Sequence, residues 1–120
     1  MPIHRLEQGY IVEAHVPSQR GQTKVSRPAV VISPNNELKA GGNIVVVGIT
    51  TSYRSSDPPS RYFALEFNPA GGCATGLRRE SWAVMDWIEE IPRTAINAYK
   101  GQLSMREMTM LLIKINCHGD

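Results

Sequence analysis

Arg27 stands directly before Pro28 at the mouth of an aliphatic run, "SRPAVVISP", and Thr50, Thr51 and Ser52 close the next such run, "IVVVGITTS". A guanidinium and a row of hydroxyls are hydrogen-bond donors, and the planar fork of a guanidinium matches phosphate oxygens. The residue before a proline is pushed out of the helical region into extended backbone, so Pro28 holds the chain at Arg27. A held backbone lowers the entropy lost when the guanidinium is oriented. If the two runs are antiparallel neighbours, the start of one lies beside the end of the other. Arg27 then shares one rim with the hydroxyls of residues 50–52, a cradle for a single phosphate. The same residues also suit a surface ion pair and ordinary β-branched strand ends, and spacing does not choose between the two readings.

Strands must carry this pair. In "YIVEAHV", Tyr10, Val12, Ala14 and Val16 alternate with Ile11, Glu13 and His15, the period of a half-buried strand. A Pro/Gly-containing polar stretch then reads as a long loop. "PAVVIS" is a short apolar strand with its proline at the first position, where no N–H is needed. "PNNELKAGGN" reads as a turn-rich connector. "IVVVGIT" is continuously apolar and β-branched, so it is expected at the centre of the sheet. "TSYRSSDPPS" is a polar loop, and "RYFALEF", "SWAVMDWIEEI" and "TAINAYK" are further strand candidates. Trp82 and Trp87 lie five apart, on opposite faces of a regular strand but not of a bulged one. A capping box, Ser104 with Glu107, opens a closing helix over about 104–116. Met108, Leu111, Leu112 and Ile115 form its apolar stripe, and Met110 and Ile113 add a second. Short strands, long loops and one helix describe a single domain over 1–120, mainly β: a small, strongly curved sheet or open barrel with a helix packed on it.

At 120 residues and 42% hydrophobic the chain can bury a core without staples, and a formal charge of +2 does not by itself call for nucleic acid. The charge is unevenly spread. Arg20, Lys24, Arg27, Lys39, Arg54 and Arg61 face only Glu37 and Asp57 between residues 18 and 61, while Glu80, Asp86, Glu89 and Glu90 have no base among them up to Ile91. One face is expected to be basic and another acidic. Cys73 and Cys117 have no CxxC spacing, and His4, His15 and His118 have no ligand spacing, so no metal site is expected. No stretch is apolar and long enough to span a bilayer, and the N-terminal residues lack the core of a signal peptide, so the expected location is cytoplasmic.

On these residues the chain resembles the MazF/PemK toxins of type II toxin–antitoxin systems. The resemblance rests on "GYIV…P…RG…SRPAVVIS…VVVGITTS", continues through "GLRRESWAV" and "KGQLSMREMTMLLIKIN", and covers nearly the whole sequence. It implies an SH3-like, CcdB-like small β-barrel with a C-terminal helix, a homodimer, an acidic antitoxin partner and metal-free cleavage of single-stranded RNA without a cofactor. The family's arginine before proline falls on Arg27, its threonine after the second apolar strand on Thr50, and its polar neighbours on Thr51 and Ser52. Two positions depart from the pattern. Tyr10 stands where the family usually has Asp, and "GQTKVSRP" carries no acid, so Gln22 and Thr23 are the residues nearest the site in that loop.

The implied reaction is transesterification, in which the ribose 2′-hydroxyl attacks the adjacent phosphorus and leaves a cyclic phosphate and a 5′-hydroxyl. Arg27 is expected to stabilise charge on the phosphoryl oxygens and Thr50 to bond one non-bridging oxygen, while a guanidinium is too weak an acid to serve readily as a base. His15, on the first strand, is a candidate for handling a proton, but an ordinary strand-surface residue is the plainer reading of it. Tyr53, Arg54 and Arg61, in or beside the long loop, are candidates for stacking and backbone contacts with splayed bases, and Pro28, Gln22, Thr23, Thr51 and Ser52 complete the expected substrate surface. Two other classes fit the fold: a non-catalytic nucleic-acid-binding module, and a CcdB-like gyrase-binding toxin. The ending "INCHGD" lacks the Trp-Gly-Ile tail of the second.

Overall fold

The computed structural model describes residues 5–19 and 24–118. Six strands, β1 (Tyr10–Pro17), β2 (Lys24–Val31), β3 (Ile44–Thr50), β4 (Tyr62–Leu65), β5 (Ser81–Ile91) and β6 (Ile96–Gln102), are joined by a short helix α1 (Asn35–Ala40) and closed by α2 (Met105–His118). They form one antiparallel sheet in the order β4-β5-β3-β2-β1-β6, with β3 inside it as its apolar run requires. The edge strands β4 and β6 do not pair with each other, so among the described residues the sheet is a mainly β, curved open barrel rather than a closed one.

Alternation divides the buried residues between two faces. Val12, Ala14, Val31, Ile44, Val46, Val84 and Trp87 pack on one, with Leu38 of α1. Ile11, Val30, Val47 and Met85 pack on the other, where Met108 and Leu111 of α2 cover them. The first face is filled by the sheet folding over itself. Strands β1 and β5 are separated by β2 and β3, yet the Trp87 indole N–H donates to the Pro17 carbonyl at 3.0 Å. The capping box is present as read: the Glu107 N–H donates to Ser104 Oγ at 3.1 Å, and the Ser104 N–H donates to the Glu107 carboxylate at 3.0 Å.

Three local expectations are corrected, and one point left open between a regular and a bulged strand is decided. The connector after β2 contains α1, because Pro34 enters it extended, Leu38 finds a buried site and Gly41 closes it at φ 89°. Strand β2 begins at Lys24, so Pro28 lies inside it. It is tolerated because the ladder to β3 starts only at Ala29↔Gly48. "RYFALEF" pairs only from Tyr62 to Leu65. Finally, β5 is bulged. Val47 pairs with Ile88 but Ile49 pairs with Ala83, so β5 spends extra residues between the two pairs. Trp82 and Trp87 consequently both face the first cluster instead of opposite sides.

Candidate active site at the open end of the curved sheet

The positions of Arg27 and Thr50 follow from register. Along β2, Ala29 and Val31 point into the first cluster, and Arg27 shares their parity. Along β3, Ile44 and Val46 do so, and Thr50 shares theirs. Ala29 pairs with Gly48, and the same register continued past the end of the ladder sets Arg27 across from Thr50. The two side chains that the sequence places at strand mouths therefore share one face and one end of the sheet. On β1, His15 has the opposite parity. It belongs with Glu13 and Ser26 on the outer face, where its Nδ1 lies 3.2 Å from the Asn97 amide. The sheet separates His15 from Arg27, so within one chain it is not placed to take a proton at that end.

Arg27 is half-buried. Its Nε–H donates to the Val25 carbonyl at 3.4 Å, and its Cζ lies 5.1 Å from the centre of the Trp87 ring. No carboxylate pairs with it among the described residues. The Thr50 hydroxyl accepts the Ser52 N–H at 3.1 Å, which turns the chain out of β3 and leaves Thr51 and Ser52 exposed. Thr50 pairs with Trp82, and the Tyr53 ring lies 5.3 Å from that of Trp82 and 4.7 Å from that of Tyr62. Tyr53 remains 43% exposed, so a three-ring shelf stands beside Thr50 with one ring open to solvent.

Arg61 has a different setting. Its guanidinium donates to Asp57 at 2.7 Å, to Asp86 at 3.0 Å, to the Tyr62 hydroxyl at 3.1 Å and to the side-chain amide oxygen of Gln19. The Tyr62 hydroxyl donates to Asp57 at 2.6 Å. The Tyr62 bond, reinforced by Arg61 and opposed by desolvation, holds the Asp57 carboxyl below its usual range. Burial and the neighbouring Asp57 push the Tyr62 phenol up. Burial works to lower the Arg61 guanidinium, but the bond and charge of Asp86 and then Asp57 outweigh it and leave it raised. Arg61 thus ties the loop after β3 to β5 and to the end of β1. Arg54 is exposed on that loop, and Pro28 is half-buried beside Arg27. Gln22 and Thr23 lie outside the described residues.

Trp87 and Gly48 were not foreseen as parts of this site. A Cβ on Gly48 would come within 2.2 Å of two Trp87 ring atoms, so the indole lies directly on the glycine backbone. The signal was present, since a glycine inside a β-branched strand marks close approach by another group. Among the described residues no cluster of His, Cys, Asp and Glu is arranged to hold a metal ion, and no helix is long and apolar enough to cross a membrane.

Residues 7–117 match the family model described as PemK-like, MazF-like toxin of type II toxin–antitoxin system. Among solved structures, the fold is similar to the Mycobacterium tuberculosis toxin MazF-mt6, with TM-score 0.72 and 20% identity over 92% of this chain and 96% of that one. It is also similar to MazF of Deinococcus radiodurans, with TM-score 0.71 and 16% identity over 98% and 100%. A mycobacterial endoribonuclease solved with its cognate antitoxin aligns with TM-score 0.70 and 16% identity over 93% and 92%. Among curated proteins no sequence match is found.

Proposed function

The chain belongs to the PemK-like, MazF-like toxin family of type II toxin–antitoxin systems, and from that premise we propose that it is a metal-independent, sequence-specific endoribonuclease that cuts single-stranded RNA and thereby stops translation. The observation that carries this reading is the convergence of Arg27 and Thr50 on one face at one end of the sheet, with no carboxylate on Arg27 among the described residues. A guanidinium without an acidic partner keeps its charge for an incoming phosphate.

In the proposed reaction the 2′-oxygen attacks phosphorus, its proton leaves to a base, and the P–O5′ bond breaks. The departing oxygen takes up a proton, giving a cyclic phosphate and a 5′-hydroxyl. Arg27 stabilises the charge that builds on the phosphoryl oxygens, and Thr50 donates to one of them once its hydroxyl proton turns outward. The ring shelf of Tyr53, Tyr62 and Trp82 offers a stacking face for a base next to the scissile phosphate, and single-stranded RNA is the substrate whose bases can be splayed onto it. Arg54 and residues 51–52 contribute backbone contacts.

An acidic antitoxin segment is the expected protein partner, lying across the basic loops and competing with RNA, so its affinity should fall as salt rises. A second copy is expected on α2, where Met110 and Ile113 remain 50% and 58% exposed outside the buried Met108–Leu111 stripe. Light scattering at micromolar concentration should show a dimer, and a monomer would remove that part of the reading. The activity test is incubation of a random single-stranded RNA pool with the protein in EDTA, with the ends read by sequencing. Cuts at one short motif bearing cyclic-phosphate ends are expected. No cutting with or without added Mg²⁺ would return the chain to the non-catalytic binding class.

A further inference from the structure

We propose that Trp87 is a positioning residue for Arg27: its indole face, seated on the side-chain-free surface of Gly48 and fixed by Pro17, holds the guanidinium ready for phosphate. This inference rests on the reading of Arg27 as the phosphate-binding group. Three strands and one strand end build the mount. Strand β5 supplies the indole, 4% exposed. Strand β3 supplies Gly48, where any Cβ would collide with the ring at 2.2 Å. The Pro17 carbonyl at the end of β1 accepts the indole N–H at 3.0 Å and fixes the rotation of the ring. Strand β2 supplies Arg27, whose Cζ lies 5.1 Å from the ring centre.

The chemistry favours this mount over an ion pair. A carboxylate would also orient a guanidinium, but it would occupy the donors and cancel the charge that the phosphate needs. An aromatic face attracts the cation through its quadrupole while leaving the in-plane N–H fork unoccupied. Pro28 restricts the backbone at one end of the side chain, and Trp87 restricts the guanidinium at the other. The β3–β5 register, continued one step past Val47↔Ile88, sets Trp87 across from Gly48 on this face, and the bulge lies between Trp87 and Ala83.

The contact is tested first without RNA. The indole ring current should move the Arg27 Nε–H proton resonance upfield of the exposed arginines, and Trp87→Leu should return it. The sequence has two tryptophans, so in a Trp82→Phe background Arg27→Ala should shift the emission of the sole remaining indole with the tryptophan left in place. Unchanged emission and an unshifted Arg27 resonance would overturn the proposal, even if Trp87→Leu fails to fold.

Function is then read as single-turnover cleavage of a random single-stranded RNA pool in EDTA, by variants that melt like the parent at the assay temperature. Trp87→Leu should lower the saturating rate about tenfold with little change in the protein concentration giving half-maximal rate. Trp87→Phe, which keeps a ring face, should stay within about threefold of the parent. In an Arg27→Lys background Trp87→Leu should add no further loss. If Arg27→Ala abolishes cleavage but a folded Trp87→Leu cuts at the parent rate, the positioning role alone is wrong. If Arg27→Ala itself cuts at the parent rate, the phosphate-binding reading of Arg27 is wrong and the role of Trp87 falls with it.

Discussion

Two arginines of this molecule lie over aromatic rings at nearly the same distance, Arg27 5.1 Å from the centre of Trp87 and Arg61 5.5 Å from that of Tyr62. Their other partners are opposite in kind. Arg61 is bracketed by Asp57 and Asp86 and takes further acceptors from Tyr62 and Gln19, so its charge and fork are used within the chain. Arg27 has a backbone carbonyl, a π face and no carboxylate among the described residues. One environment builds a joint between loops, and the other preserves a cation for something outside the chain. Counting basic residues along the sequence treats the two alike. What separates them is whether the fold brings a carboxylate to meet the guanidinium.

The contrast is broken most directly at Arg27. Arg27→Ala should lower RNA cleavage by roughly 10²–10³ with a melting temperature within about 3 °C of the parent, since the contact with the Trp87 ring is lost but no ion pair is. Arg27→Lys should recover little, because an ammonium keeps the charge but not the planar fork. Single-turnover cleavage paired with a thermal melt checks both. A larger fall in melting temperature with partial activity would show that Arg27 is a structural cation like Arg61.

Thr50→Ala should have an intermediate effect, about a tenfold loss of rate. Its hydroxyl serves the turn to Ser52 as well as the proposed phosphate contact. Thr50→Ser keeps the hydroxyl and should stay within a few-fold of the parent in the same assay.

Arg61→Ala should reverse the pattern of Arg27→Ala. It leaves Asp57 and Asp86 without their shared partner and frees the loop carrying Tyr53, so the melting temperature should drop by about 3–6 °C. Cleavage of the random RNA pool at a temperature where both proteins are folded should fall only a few-fold. Loss of cleavage on the scale of Arg27→Ala, without a lower melt, would place Arg61 on the substrate instead of in the joint.

Much of the fold was legible because period and capping signals are local. The β1 alternation, the apolar β3 and the Ser104–Glu107 cap are each decided within a few residues. Antiparallel adjacency of two apolar runs was sufficient to bring Arg27 and Thr50 to one end. The rest depended on pairing partners far away in sequence. Nothing inside "SWAVMDWIEEI" declares a bulge, which exists because β5 pairs with both β3 and β4 while the sheet curls. Without the bulge, Trp82 would face away from Trp87 and the ring shelf beside Thr50 would lie on the other side of the sheet from Arg27. The employment of Arg61 was hidden for the same reason: Gln19 and Asp86 are 42 and 25 residues away. In α1 the entry at Pro34 and the stop at Gly41 are local signals, but the buried site that Leu38 fills is supplied by distant parts of the chain.

The smallest expected effect concerns the acid–phenol contact that completes the Arg61 joint. Tyr62 donates to Asp57 at 2.6 Å, which lowers the Asp57 carboxyl and helps burial to raise the Tyr62 phenol. A lowered carboxyl stabilises the fold fully above its unfolded value of 3.8, and that contribution disappears as pH falls through the folded value. A raised phenol stabilises the fold fully below its unfolded value of 10.0, and that contribution disappears as pH climbs through the folded value. The melting-temperature difference between the parent and Tyr62→Phe, about 1–3 °C, should therefore form a plateau between 3.8 and 10.0 and shrink on both sides. Arg27 has no such partner, so the melting difference between the parent and Arg27→Ala should stay flat across the same range. A Tyr62→Phe difference that persists unchanged below the acid limit would mean that packing of the ring, rather than its bond to Asp57, holds this loop in place.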